Sequence, residues 1–232
     1  MNTSYYLGAL ETIIPKLPIT IGMMMLALLG GLIVGTILAI IRIRQKPISN
    51  VLATIYISFM RCTPTIVQLF LVFYGLPLFF ELMGIDINGW SKFIFAVLAL
   101  GLHSTAVIAE IMRAAYLSVP AGQFEAAEAV GMTKLQMLRH IVLPQATHIA
   151  MPNLGNEAIS LLKETSLAFS IGVVDIMGSA QILVNNNYGM NVVEVYVVIS
   201  ILYWLLSIVV GRIVEWSRRR SQNRYRRMAN AT

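Results

Sequence analysis

Long apolar segments alternate with short polar ones along the chain. Residues 17–41 contain no charged side chain, and a helix that crosses a bilayer needs about 20 apolar residues. The same pattern recurs four more times, least clearly in the fourth segment. We therefore predict an all-α, polytopic membrane protein with about five transmembrane helices, at 18–41, 64–80, 91–112, 150–173 and 192–212.

Positive charge follows the predicted spans at alternate ends. Seven arginines crowd together after the last span: Arg212, Arg218, Arg219, Arg220, Arg224, Arg226 and Arg227. With the N-terminus outside and the C-terminus in the cytoplasm, only Lys16, Lys92 and Lys163 of the seventeen Lys and Arg residues avoid the cytoplasmic side. The opposite orientation would invert this bias, so the positive-inside rule favours the first.

The shorter segments carry further predictions. Residues 48–60 are apolar but end at Arg61, which favours a helix lying at the cytoplasmic interface. Thr63 can cap the second span, with Pro64 in its first turn. Gly31 and Gly35 form a GxxxG pair, which indicates either a dimer face or a close contact within the subunit. Residues 176–191 are typical of an external loop or a short re-entrant segment.

Composition supports a membrane protein and excludes several classes. Of the 232 residues, 57% are hydrophobic and 12% charged, whereas soluble domains average about 25% charged residues. One cysteine, three separated histidines and the absence of Walker A and GxSxG motifs argue against metal, hydrolase and nucleotide-hydrolysing sites in this chain. The net charge of +6 arises largely from the membrane-flanking arginines, so we expect no nucleic acid partner.

The fourth predicted span carries a polar stripe. At 100° per residue, seven polar side chains share an arc of about 140°: Asn153, Asn156, Glu157, Ser160, Lys163, Glu164 and Ser170. Such a face avoids lipid and turns towards a subunit interface or a water-filled cavity. Either Lys163 and a glutamate neutralise each other and fix packing, or the stripe forms one wall of a polar translocation path.

Two smaller polar groups accompany the stripe. One opens the second span and consists of Arg61, Thr63, Thr65 and Gln68. It is explained either by a helix cap with a snorkelling arginine or by a place in the same path. The other is Glu110 with Arg113, which we expect to pair on one helix face because they are three residues apart.

A cytoplasmic segment, 114–146, separates the third and fourth spans. Gln123 to Val130 favours a short helix, Gly131 can adopt positive φ at its end, and a second helix is predicted over 132–141, with Pro144 following near its end. The result would be a helix–turn–helix elbow. Its physical chemistry is equally compatible with a docking protrusion and with a simple connector.

The spacing of this segment is specific. Glu125-Ala126-Ala127, three residues, Gly131, nine residues and Ile141-Val142-Leu143-Pro144 match the EAA signature of ABC-importer permeases. Residues 61–70 and 154–167 resemble the polar amino-acid (histidine/glutamine-type) permeases. The resemblance covers nearly the whole chain, with Cys62 standing where family members usually have glycine.

The resemblance implies the type I ABC importer permease fold in a bacterial cytoplasmic membrane. It implies a second permease subunit, identical or paralogous, an extracytoplasmic amino-acid-binding protein, and cytoplasmic ATPase subunits that carry the ATP and Mg²⁺. This chain would hold no cofactor and perform no chemistry. Glu125, Ala126, Ala127 and Gly131 would contact the ATPase, and its closure would switch the cavity between inward- and outward-facing states.

An amino-acid substrate needs partners for both of its charges. The candidate path residues are Arg61, Thr63, Gln68, Glu157, Ser160, Lys163, Glu164, Thr165 and Ser166. Cystine, a polar neutral amino acid and a basic one all fit the sequence. The alternative functions are an ion-coupled secondary carrier or channel for small polar solutes, which intramembrane Lys and Glu would suit, and a membrane scaffold in which the stripe only joins subunits.

Overall fold

The first half of the chain forms helices α1 to α6. The computed structural model describes residues 3–229, and the side chains of residues 6–219. The helices are α1 (Thr3–Ile13), α2 (Leu17–Arg44), α3 (Pro47–Cys62), α4 (Thr65–Phe70), α5 (Leu76–Glu81) and α6 (Lys92–Leu117). A 3₁₀ turn (Ile14–Lys16) joins α1 to α2, and a π-helical turn (Leu71–Gly75) joins α4 to α5.

The second half contains the elbow and the remaining membrane segments. The helices are α7 (Ala121–Ala129), α8 (Lys134–Met137), α9 (Leu143–Glu164), α10 (Ile176–Asn186) and α11 (Val192–Ala229). A π-helical turn (Leu138–Val142) runs from α8 into α9, and a 3₁₀ segment (Thr165–Ile171) extends α9. The described residues are thus helical or irregular throughout.

Three helices are long and apolar enough to cross a membrane: Tyr6–Arg44, Lys92–Leu117 and Val192–Arg219. They correspond to the first, third and fifth predicted spans. Two bent pairs raise the number to as many as five: Pro47–Cys62 with Thr65–Glu81, bent by 113°, and Lys134–Ile171 with Ile176–Asn186, bent by 46°. The second and fourth predicted spans belong to these pairs.

The second span starts differently from the prediction. Thr63 and Pro64 are extended, with ψ of 137° and 136°, and Thr63 makes no side-chain cap. A residue before proline disfavours the helical region, so the chain turns sharply there instead of capping a new helix. The helix predicted over 48–60 is present as α3, while its place at the membrane interface stays a prediction.

The second elbow helix, predicted over 132–141, does not end there. The helix that begins at Lys134 continues through Pro144 and Pro152 to Glu164. Within the π-helical turn, the Leu143 N–H donates to the Leu138 carbonyl five residues back. Because proline donates no hydrogen bond, this wider turn lets the helix pass Pro144 without a break.

Residues 176–191 contain a helix rather than an open loop. Helix α10 is capped by the fully buried Asp175, which accepts hydrogen bonds from the Gly178 N–H at 2.9 Å and the Thr20 hydroxyl at 3.2 Å. The caps and the 46° bend favour the re-entrant or broken-span alternative. Together with α1 and the start of α11, α10 forms an apolar core.

The main helix pair is α2 against α6, and it depends on small side chains. A Cβ on Gly31 would lie 3.0 Å from the Ser104 side chain, and one on Gly35 would lie 2.9 Å from the Thr105 carbonyl oxygen. The GxxxG pair therefore makes a close contact within the subunit. It brings α2 against the face of α6 that also packs on α9.

We expect Gly35→Ala to destabilise the protein and Gly30→Ala to leave it unchanged or slightly more stable. At Gly35 the new methyl group would crowd Thr105 and Ile108, at a cost of about 1–3 kcal/mol. Gly30 has no heavy atom within 4 Å of an added Cβ, so only the helix-propensity gain of up to about 1 kcal/mol remains. Thermal unfolding in detergent measures both; equal midpoints would contradict the packing argument.

Candidate functional site

The polar stripe of α9 is graded in exposure across its width. Lys163 and Asn156 lie at one edge and are exposed, Ser160 in the middle is half-buried, and Glu157 at the other edge is buried. Asn153 is also exposed, and Glu164 is half-buried. One edge of the stripe therefore faces away from the subunit, while the other edge faces inward and packs against α6.

Glu157 and Thr165 differ from the expectation that they line a path. Glu157 is 7% exposed and its Oε1 accepts a hydrogen bond of 2.8 Å from the Ser104 hydroxyl on α6. Thr165 is fully buried and donates to the Leu162 carbonyl at 2.7 Å. A buried polar group requires such a partner. In the subunit alone, Glu157 therefore joins α9 to α6, and Thr165 satisfies its hydroxyl within its own helical segment.

Lys163 presents its ammonium group outward. It is exposed, and among the side chains of residues 6–219 it forms no salt bridge with Glu157 or Glu164. Lys163 and these glutamates are thus not in direct contact within the subunit, and both alternatives for the stripe stay predictions. Ser166, half-buried beside it, donates to the Lys163 carbonyl at 2.6 Å.

A chain of polar groups crosses the subunit from α3 to α9. The Gln68 side chain, 2% exposed, donates to the Met60 and Thr63 carbonyls at 2.6 and 2.8 Å. Its Oε1 lies 3.1 Å from His103 Nδ1, and His103 Nε2 lies 3.8 Å from Glu164 Oε2. Gln68 thus holds the 113° bend and links it to the end of α9.

His103 was not among the predicted site residues. The signal was present, because His103 is a polar residue in the third span that directly follows the apolar residues 93–102. Of the other residues in the polar group that opens the second span, Thr63 joins this hydrogen-bonded row only through its backbone carbonyl. Arg61 is exposed and Thr65 is half-buried.

A second network ties α2, α3 and α6 together. Arg113 pairs with Glu110 at 2.8 Å, which confirms the predicted pair on one helix face. Arg42 of α2 approaches the same carboxylate at 3.5 Å and also donates to the hydroxyl of Thr54 on α3. One carboxylate thus joins cationic groups from two helices at the ends where α2 and α6 leave the apolar region.

The predicted elbow is present, and Gly131 is at its turn. Gly131 has φ of +77°, its N–H donates to the Glu128 carbonyl, and the Met132 N–H donates to the Ala127 carbonyl. These two hydrogen bonds end the helix at a position whose left-handed backbone conformation favours glycine. Thr133 and Gln136 then form a capping box that starts α8.

The two sides of α7 have different surroundings. Ala127 is 1% exposed and packs with Val119, Met137 and Val142 in a small core beneath the elbow. Its side chain therefore supports the elbow and does not reach an external partner, contrary to the expectation. Glu125 and Ala126 are exposed on the other side.

The arginine-rich end of α11 is described only in part. Arg212 is exposed, while Arg218 and Arg219 both pair with Glu215, at 2.9 and 3.0 Å. The side chains of Arg220, Arg224, Arg226 and Arg227 lie outside the described residues. Within the described part of the chain, no group of three or more His, Cys, Asp or Glu could hold a metal ion.

Sequence comparison shows the family. The model described as "Binding-protein-dependent transport system inner membrane component" matches residues 31–223. The L-cystine transport system permease protein TcyL of Bacillus subtilis (strain 168) is 45% identical, across 93% of this chain and 88% of that protein. The glutamine transport system permease protein GlnP of Escherichia coli (strain K12) is 31% identical, across 91% of this chain and 94% of that protein.

Structure comparison agrees with the sequence matches. The crystal structure of an amino acid ABC transporter with histidines superposes with a TM-score of 0.83 at 30% identity, across 95% of this chain and 99% of that chain. An inward-facing structure of the MetNI methionine ABC transporter has a TM-score of 0.71 at 20% identity, across 91% and 97%, which shows a shared fold.

These matches confirm the resemblance drawn from the EAA signature. The chain belongs to the family of binding-protein-dependent transport system inner membrane components, and it is a multi-pass inner-membrane permease subunit of an ABC amino-acid uptake system whose ATPase is a separate subunit.

Proposed function

We propose that the subunit couples a separate ATPase to amino-acid passage through the elbow formed by α7, Gly131 and α8. The observation that carries this proposal is the position of the elbow. Residues of α7 and α8 share one cavity wall with Ile40, Ile43 and Arg44 at the end of α2. The elbow therefore lies at the end of the helix bundle where positive charge collects, which is the cytoplasmic end by the positive-inside rule.

This placement supports a complete topology. The N-terminus is outside, the C-terminus is cytoplasmic, and residues 1–232 form one transmembrane domain of the type I importer class with five spans. Two of the five are the bent pairs. The 114–146 segment is the cytoplasmic coupling loop between the third and fourth spans.

The ATPase contact is made by the outward side of α7. Glu125 and Ala126 are exposed there, together with Gly122 and Ala129. The two alanines and the glycine are small, so a partner surface can approach closely. Gly131 shapes the turn, and the buried Ala127 braces the elbow from below. ATP and Mg²⁺ are held by the ATPase subunits, and this chain carries no cofactor.

The path runs along the exposed side of the α9 stripe. Ser160, Lys163, Glu164 and Ser166 line it, and a second permease subunit, identical or paralogous, closes the opposite wall. Arg61 is placed at the end of α3, where the chain turns into the second span. Thr63, Gln68, Glu157 and Thr165 position the helices that carry these groups rather than touching the solute.

The substrate class is an amino acid delivered by an extracytoplasmic binding protein, and cystine is the proposed substrate. Support comes from the 45% identity to the cystine permease TcyL over nearly the whole chain. The exposed Lys163 ammonium group suits an α-carboxylate, and the Glu164 carboxylate beside it suits an α-ammonium group.

Replacement of Glu125 tests the coupling surface. We expect Glu125→Arg to abolish co-purification of the ATPase from detergent and to reduce uptake at least about tenfold, because a buried contact would gain an unpaired charge. Glu128→Arg makes the same charge change one turn further along α7, at an exposed side chain that lines the cavity shared with α2, and is expected to retain the ATPase. Loss in both variants, or in neither, would contradict the assigned face.

Replacement of Gly131 tests the turn. Gly131→Val forces a β-branched residue into positive φ, which costs about 1–3 kcal/mol, so the elbow should change shape. We expect ATP hydrolysis without proportionate uptake, with normal membrane insertion. Gly84→Val is the control, because Gly84 has φ of +76° but lies in the loop between α5 and α6; normal coupling in Gly131→Val would overturn the assignment.

Uptake kinetics test the path and the substrate together. We expect Lys163→Met to raise the KM for cystine in proteoliposomes about tenfold, the loss of one charge-assisted hydrogen bond, and Lys46→Met to change nothing. Glutamine in parallel decides the substrate class. Uptake of glutamine but not of cystine would contradict cystine as the proposed substrate and leave the coupling proposal intact.

A further inference from the structure

An apolar groove lies between the transmembrane helices and the elbow. Its volume is about 500 Å³, and its walls come from the end of α2, the end of α6, α7 and the α8–α9 junction. Ile40 and Leu138 on its walls are exposed, whereas Met137 and Val142 form a buried floor. The groove therefore leaves large aliphatic side chains uncovered next to the predicted membrane surface.

The mouth of the groove is cationic. Arg44 and Lys134, from two different helices, both line it and both are exposed. Within the described side chains, residues 6–219, neither forms a salt bridge, in contrast to Arg42 and Arg113 nearby. Glu128 is the one carboxylate on the described lining, so the mouth keeps an excess of positive charge.

The length of α2 indicates where the groove lies relative to the bilayer. This helix has 28 residues, or about 42 Å at 1.5 Å per residue, which exceeds the hydrocarbon core of about 30 Å. Arg44 is its last residue, so in the proposed orientation we place its guanidinium group at headgroup level, with Ile40 and Ile43 nearer the acyl chains. An amphipathic ligand with a negative head matches this order of side chains.

We propose that this groove binds an anionic phospholipid of the cytoplasmic leaflet. The lipid phosphate contacts Arg44 and Lys134, and an acyl chain lies along Ile40, Ile43 and Leu138. Basic pockets between helices on the cytoplasmic side are suited to anionic headgroups. The inference rests on the orientation given under the proposed function.

The groove and the ATPase contact use different sides of α7. Phe124 and Glu128, four residues apart, share the side that faces the groove. Ala126 of the proposed ATPase contact is turned away from that side, and Glu125 lies between the two, one turn before Glu128. Lipid and ATPase therefore bind at the same time. A bound lipid braces the elbow against α2, because Lys134 of α8 and Arg44 of α2 hold the same phosphate.

Native mass spectrometry of the purified permease–ATPase complex tests the proposal. The complex is exposed to vesicles of phosphatidylcholine alone or mixed with phosphatidylglycerol, and retained lipids are counted on the permease subunit. We expect selective retention of phosphatidylglycerol by the wild type and at least about tenfold weaker retention by the double variant Arg44→Gln, Lys134→Gln, given roughly fivefold per basic side chain.

Matched controls separate this site from general surface charge. Lys46→Gln with Arg139→Gln removes two exposed charges from the same regions without touching the groove, and should leave retention unchanged. Leu138→Gln on the groove wall should weaken retention, whereas Leu135→Gln, an exposed position outside the groove, should not.

Two results would overturn the proposal. One is equal retention of phosphatidylglycerol by the groove variants and their controls, whether both are weakened or neither is. The other is loss of the ATPase from the Arg44/Lys134 double variant with lipid selectivity intact, which would make the groove a protein-docking surface. Failure of the coupling proposal is scored separately, by ATPase co-purification in Glu125→Arg.

Discussion

A bilayer interior supplies no hydrogen-bond partners, and this constraint organises the polar groups of the subunit. Gln68 shows the effect most directly, because its side chain satisfies the Met60 and Thr63 carbonyls where the chain turns by 113°. Without such a donor, the last carbonyl groups of α3 would be left unpaired. A sharp turn in the second segment is therefore possible because a buried side chain takes the place of the missing backbone bonds.

The same requirement separates the α9 stripe into two roles. Glu157 finds its partner in Ser104 across the α6–α9 contact, and its charge becomes part of the packing. Lys163 finds no salt-bridge partner among the described side chains and stays exposed. An exposed cation is costly in contact with lipid, so this edge is suited to a subunit interface or a water-filled path.

Close approach of α2 and α6 through Gly31 and Gly35 connects these features to the elbow. It places Arg42 beside Glu110, where α2, α3 and α6 are linked near the end of the bundle. The α7–α8 elbow stands on the same end, braced by Ala127 against Met137. The elbow is therefore connected to closely paired helices rather than to a loose loop.

Patterns that are local along the chain were sufficient to predict the apolar spans, the Glu110–Arg113 pair and the turn at Gly131, because periodicity, i,i+3 spacing and positive φ depend on neighbouring residues. The EAA spacing likewise identified the family before any fold was known. The sequence did not reveal that the helix passes through Pro144, that His103 joins Gln68 to Glu164, or which edge of the stripe is buried. Those features depend on a wider π-helical turn and on contacts between α3, α6 and α9, which are far apart in sequence, so only the tertiary structure decided them.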